Sequence, residues 1–114
     1  MVDESKYEMS FEIISTAGNA KSLSLMAIES AREFDFNAAE EQLKEAEIDL
    51  KKAHHLQTEL IQKEARGEVI DVDIILVHSQ DHLTMAIMAG DFAREFIEIY
   101  KTFKKIAEKM EVKT

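Results

Sequence analysis

Apolar side chains recur every three or four residues along most of the chain, which is the spacing of amphipathic helices with one packed face. The clearest series is Phe36, Ala39, Leu43, Ala46, Leu50, Ala53, Gln57 and Leu60, in which only Gln57 is polar. We predict three helices over about residues 5–33, 37–66 and 71–110. Short β-rich runs are few. The pattern therefore predicts an all-α fold, an antiparallel three-helix bundle formed by a single domain over residues 1–114.

Few helix-breaking residues mark the turns between the predicted helices, because the chain has only three glycines and no proline. Asp35 and Asn37 favour a turn followed by a helix start. Gly67 can end the second helix in the left-handed conformation. Asp71 or Asp73 can cap the third helix.

The third predicted helix carries two stripes. One consists of Leu76, Ser79, Leu83, Ala86, Gly90, Ala93, Ile97 and Tyr100. The other, called here the outer stripe, consists of Ile74, His78, Asp81, Met85, Met88, Phe92, Ile99 and Phe103. A three-helix monomer needs only one packed stripe per helix. The second stripe therefore indicates association, most simply with copies of the same chain.

Charge and composition narrow the range of partners. The chain has a formal net charge of −9 at pH 7, which disfavours nucleic acid and anionic membrane surfaces. It has no cysteine, so disulfides and thiolate catalysis are excluded. No run reaches the roughly 18 apolar residues of a membrane span, and the first residues lack a signal-peptide pattern. We therefore expect a cytoplasmic protein without direct membrane insertion.

The candidate chemistry lies near the start of the third helix. At 100° per residue, His78, Asp81, His82 and Met85 share one helix face. Placing two imidazoles and a carboxylate in an apolar stripe costs free energy unless these groups are paired, hydrated or part of a functional site.

Three interpretations of these side chains remain open at this point. A neutral imidazole can attack phosphorus at neutral pH and carry a phosphoryl group. His78 and His82 could instead bind zinc with a third ligand, although Ser79 stands where a His-Glu-x-x-His motif has its glutamate. The histidines could also be structural residues of a non-catalytic helical interaction module. His54 and His55 are adjacent, point about 100° apart and cannot form one convergent site.

Several segments resemble one known family, the lactose/cellobiose-type IIA component of the bacterial sugar phosphotransferase system. Residues 77–86, Val-His-Ser-Gln-Asp-His-Leu-Thr-Met-Ala, look like the family's phosphorylation segment, usually His-Ala-Gln-Asp-His-Leu. Residues 57–67, 17–22 and 31–36 match other characteristic stretches. Together the resemblance spans roughly residues 11–100.

The resemblance implies a homotrimer with active sites at subunit interfaces. It implies that His78 accepts a phosphoryl group from HPr and passes it to a cysteine of the IIB component, during uptake of a lactose-, cellobiose- or chitobiose-type disaccharide. It also implies that Asp81 lies at the trimer axis and binds a divalent cation, expected to be magnesium. Gln80 and His82 are expected in the shell of the site.

Two positions depart from the family pattern. Ser79 replaces the commoner alanine and adds a hydroxyl group beside the site. Phe34 replaces a frequent glycine, which is expected to affect the backbone of the first turn.

Overall fold

Three long helices run up, down and up in a bundle. The computed structural model describes residues 7–112, and within that range it contains α1 (Glu8–Arg32), α2 (Phe36–Ala65) and α3 (Ile74–Val112) and no strand. Ser30 near the end of α1 contacts Gln42 near the start of α2, and Gln57 in the second half of α2 contacts Gln80 near the start of α3. Consecutive helices are therefore antiparallel. The predicted all-α three-helix bundle is thus confirmed. None of the described helices is both long and apolar enough to span a membrane.

The observed helix starts follow the capping residues. Asp35 accepts a hydrogen bond from the backbone N–H of Ala38 at 3.2 Å and so caps α2. Asp73 accepts one from the N–H of Leu76 at 2.8 Å, so α3 begins at Ile74 rather than at residue 71. The predicted start of the first helix at Ser5 lies outside the described residues.

Both turns contain one left-handed residue, and the same two backbone hydrogen bonds close the preceding helix. The left-handed residue donates its N–H to the carbonyl three residues earlier, and the next residue donates to the carbonyl five residues earlier. Gly67 occupies that position after α2 with φ +88°, as predicted. Phe34 occupies it after α1 with φ +64°, where a side chain is disfavoured by about 1–2 kcal/mol. Its ring lies 6.1 Å from the rings of Phe36 and of Phe103. Phe34 therefore keeps the turn that a glycine would form, and aromatic packing offsets its backbone strain.

The core lies between α1 and the other two helices and consists mainly of small side chains. Its fully buried members are Ile13, Ala17, Ala20, Ala27, Ala31, Ala39, Ala46, Ala53, Leu83, Ala86 and Ala93. Two large apolar side chains of α1, Phe11 and Leu25, are exposed. Small residues let the helices approach closely. A Cβ added at Gly90, for example, would lie 3.1 Å from Cδ1 of Leu50.

The two stripes of α3 have opposite environments. The first stripe is buried from Ser79 to Ile97 and half-buried at Leu76 and Tyr100. The outer stripe is exposed along its whole length, with Met88 and Phe92 each 55% exposed. The bundle leaves this apolar face uncovered, as the spacing predicts.

Candidate functional site

His78 and His82 form a close pair on consecutive turns of α3. Their Nε2 atoms are 3.0 Å apart, and their rings meet edge to face with centroids 4.4 Å apart. His78 is exposed, whereas His82 is half-buried. The four-residue spacing that suggested one shared face therefore produces direct contact between the two imidazoles.

The contact between the Nε2 atoms constrains the protons of the pair. In a hydrogen bond between two imidazoles, one nitrogen donates N–H and the other accepts it through a lone pair. When both rings are neutral, one Nε2 carries the proton and the lone pair of the other Nε2 accepts the hydrogen bond. The accepting nitrogen becomes available as a nucleophile when this hydrogen bond opens, and the N–H donor then lies on the neighbouring ring.

Gln80 points away from the histidine pair within one chain. Residues two apart on a helix do not face each other, and the Gln80 amide instead contacts α2. Its Oε1 accepts a hydrogen bond from Nε2 of Gln57 at 2.6 Å, and its Nε2 donates to Oγ of Ser79 at 3.0 Å. Of the two expected shell residues, the chain brings His82 to His78 and directs Gln80 to the opposite flank of the outer stripe.

Sequence reasoning missed the bond between Gln57 and Gln80. Gln57 lies in residues 57–67 and Gln80 in residues 77–86, which both resemble family segments. Their pairing depends on the register of α2 against α3, which no single segment determines. The pair borders a groove of about 150 Å³ between the end of α2 and the following turn. Its lining consists of Gln57, Leu60, Ile61, Glu64, Ile70, Val72, Leu76 and Gln80.

Asp81 is exposed on the outer stripe and pairs with no cation in the part of the chain that the structure describes. A local ion pair with lysine would be the simplest explanation for a carboxylate in an apolar stripe, and it is not formed within the described residues. Carboxylate oxygens suit hard cations such as Mg²⁺, which take about six oxygen ligands. One Asp81 supplies too few of them. A cation there would need carboxylates from further copies of the chain, and the apolar stripe around Asp81 is the surface on which copies would meet.

A zinc site within one chain receives no support from the geometry. Across residues 7–112, no three side chains of His, Cys, Asp or Glu are grouped closely enough to hold a metal. His78 and His82 therefore have no third protein ligand, which zinc sites ordinarily require.

The other two histidines lie on α2 and face solvent. Nε2 of His55 lies 3.2 Å from a carboxylate oxygen of Glu59. Neither His54 nor His55 contributes to the pair on α3.

Comparison with known proteins finds one matching family. The sequence model of the family described as "PTS system, Lactose/Cellobiose specific IIA subunit" matches residues 8–101. The lichenan-specific phosphotransferase enzyme IIA component of Bacillus subtilis is 42% identical over 100 residues, which cover 88% of this chain and 91% of that protein.

Two solved structures share the fold. The cellobiose-specific enzyme IIA from Bacillus anthracis is 38% identical, with a TM-score of 0.87 over 92% of this chain and 95% of that chain. A chain from the IIA(chitobiose)–HPr complex of the Escherichia coli phosphotransferase system is 33% identical, with a TM-score of 0.75 over 87% of this chain and 96% of that chain.

Proposed function

Since the chain belongs to the lactose/cellobiose-specific IIA family of the sugar phosphotransferase system, we propose that it carries a phosphoryl group on His78. It accepts the group from HPr and passes it to a cysteine of the IIB component. The transfer serves uptake of a lactose-, cellobiose- or chitobiose-type disaccharide. The observation that carries the proposal is the exposed His78 imidazole, whose Nε2 lies 3.0 Å from Nε2 of His82.

The transfer itself needs a nitrogen lone pair and stabilisation of the phosphoryl oxygens. The lone pair of a His78 ring nitrogen attacks phosphorus, the bond from phosphorus to the donor atom breaks, and the donor atom leaves with that electron pair. Passing the group to IIB repeats these events with His78 as the leaving group. Because His78 is exposed, both partners can reach it in turn.

His82 is suited to hold the phosphoryl group. When the contact between the two Nε2 atoms opens and Nε2 of His78 bonds phosphorus, the Nε2–H of His82 on the next helical turn can donate to an oxygen of that phosphoryl group. Hydrogen-bond donors next to a transferring phosphoryl group stabilise the charge on its oxygens. His82 thus acts as an N–H donor to the group that His78 carries.

Two features support the partners. The similar Escherichia coli chain is in complex with HPr, which supports HPr as the phosphoryl donor. The present chain has no cysteine, so a thiol acceptor must belong to another protein or domain. The sugar named for each relative differs, and we assign sugar selection to the membrane component.

A homotrimer built on the outer stripe would complete the site. Relative to Asp81, the 100° helical step places His78 and His82 on one flank of the stripe and Gln80 on the other. In a cyclic assembly of parallel α3 helices, one flank of each copy faces the opposite flank of the next. His78 of one copy would then face the Gln80 flank of its neighbour, so the shell expected around His78 would come from two subunits.

The same assembly would bring three Asp81 carboxylates to one axis. A divalent cation, which we propose to be Mg²⁺, would be held by these carboxylates and by water. It would neutralise their repulsion and take no part in phosphoryl transfer.

Intact-mass measurement tests the function directly. The protein is incubated with phosphoenolpyruvate, the general phosphotransferase enzymes and HPr, and a gain of one phosphoryl group per chain is expected. A chain that gains no mass while HPr is phosphorylated in the same tube would be a helical interaction module with structural histidines. Any hydrolase activity that is lost with a chelator would favour the zinc interpretation.

A further inference from the structure

Ser79 links the phosphoryl-acceptor segment to the Gln80 amide. The side chain is fully buried, and its Oγ donates a hydrogen bond to the backbone carbonyl of Leu76 at 2.6 Å. The same oxygen accepts a hydrogen bond from Nε2 of Gln80 at 3.0 Å. Because its proton is already committed to Leu76, the Ser79 hydroxyl can only act as an acceptor toward Gln80.

The Gln80 amide is held at both ends. Its oxygen is fixed from α2 by Gln57 at 2.6 Å, and one of its two N–H groups is fixed by Ser79. The terminal torsion of glutamine is otherwise broad and roughly two-fold. Two fixed contacts define the plane of the amide and therefore set the direction of the second N–H group.

We propose that Ser79 is a positioning residue for phosphoryl transfer, which acts by orienting the Gln80 amide so that its second N–H serves the phosphoryl group. The inference rests on the proposed function, in which the Gln80 flank of one copy faces His78 of the next. An alanine at this position would keep the helix and the fold but release one end of the amide.

Burial of a serine does not by itself explain this arrangement. Ser24 is also fully buried in the bundle, yet its Oγ has no hydrogen-bond partner. The core therefore accommodates a serine without bonding it. Ser24 supplies the matched control, because Ser24→Ala removes the same atom from the same core without touching Gln80.

The test compares Ser79→Ala with Ser24→Ala in single-turnover transfer from phosphorylated HPr. The rate at saturating donor is expected to fall about threefold to tenfold in Ser79→Ala, the effect of losing one orienting hydrogen bond. The HPr concentration at half-saturation is expected to stay the same, because the binding surface is unchanged. Ser24→Ala is expected to transfer at the wild-type rate.

A double-mutant comparison separates positioning from packing. Gln80→Met keeps the length of the side chain and removes the amide. Ser79→Ala is expected to have no further effect in that background, and Gln57→Met is expected to lower the saturating rate as Ser79→Ala does. An unchanged rate in Ser79→Ala, or a full effect that persists in Gln80→Met, would overturn the inference. If the wild-type chain accepts no phosphoryl group at all, the proposed function fails instead.

Discussion

The Nε2 atoms of His78 and His82 lie 3.0 Å apart, so one imidazole can donate an N–H to the other. The relationship follows from their spacing of four residues and from the exposure of His78. The contact joins the same atom of both rings, so the two histidines differ in exposure alone. The exposed ring can meet a partner protein, and the half-buried ring is better placed to support it.

The first prediction concerns the acceptor itself. His78→Ala is expected to abolish phosphorylation by HPr, because no other histidine in the described chain combines exposure with a neighbouring ring donor. Intact mass and peptide mapping measure the result. His54→Ala and His55→Ala are the controls and are expected to accept one phosphoryl group as the wild type does. Stoichiometric phosphorylation of His78→Ala, or label mapped to another histidine, would show that His78 is not the acceptor.

The second prediction separates His82 from His78. His82→Ala is expected to be phosphorylated still on His78 but with a saturating rate lowered by about tenfold to a hundredfold, the effect of losing one hydrogen bond to the charged phosphoryl oxygens. Single-turnover kinetics measure the rate, with His55→Ala as the exposed-histidine control. A wild-type rate in His82→Ala would mean that the ring contact is only structural.

The packed faces of α2 and α3 could be read from the sequence because large apolar and small residues repeat there at a strict spacing of three and four. The prediction of an uncovered outer stripe followed from the same spacing and is confirmed by the exposure of Met88 and Phe92. The contact between His78 and His82 could also be predicted from the sequence, because it is local to one helix.

The buried face of α1 and the contacts of the Gln80 amide could not be predicted from the sequence in the same way. The buried face of α1 includes Ser10, Thr16 and Ser24 as well as alanines, whereas Phe11 and Leu25 face outward. Polarity therefore does not separate the faces of α1. The bond between Gln57 and Gln80 requires the relative register of two helices, which is set by packing of the whole core and by no local pattern.

A third prediction tests the assembly. Phe92→Glu is expected to convert the proposed homotrimer into a monomer, because a charge would be buried in the apolar contact between α3 helices. Light scattering should give about three times the 13.0 kDa chain mass for the wild type and the chain mass for the variant. Ile48→Glu is the control, since Ile48 is 65% exposed on α2 away from the stripe. A wild-type chain that is monomeric at all micromolar concentrations would contradict the trimer.

A fourth prediction concerns the unsatisfied hydroxyl of Ser24. Ser24→Ala is expected to stabilise the fold by about 1 kcal/mol, because it removes a buried polar group that gains no hydrogen bond in return. Chemical denaturation measures the free energy of unfolding. Ser79→Ala provides the contrast, because it removes a hydroxyl with two partners and is expected to lower stability. A loss of stability in Ser24→Ala would mean that its Oγ finds a partner in solution.

The last prediction addresses the carboxylate on the outer stripe. Asp81 has no cationic partner within residues 7–112 and lies among apolar side chains, so a threefold assembly would bring three like charges together. Like charges a few ångströms apart can cost about several kcal/mol, and a divalent cation would offset that cost. Asp81→Leu removes the repulsion and is expected to raise the melting temperature, to abolish stabilisation by magnesium and to leave the trimer intact. Phosphorylation of His78 is expected to survive, because the imidazole supplies the nucleophile. Asp91→Leu, at an exposed position paired with Arg94, is the control and should keep the response to magnesium. Dissociation of the Asp81→Leu trimer would instead mean that the carboxylate makes a favourable contact between subunits and that no axial cluster of charges exists.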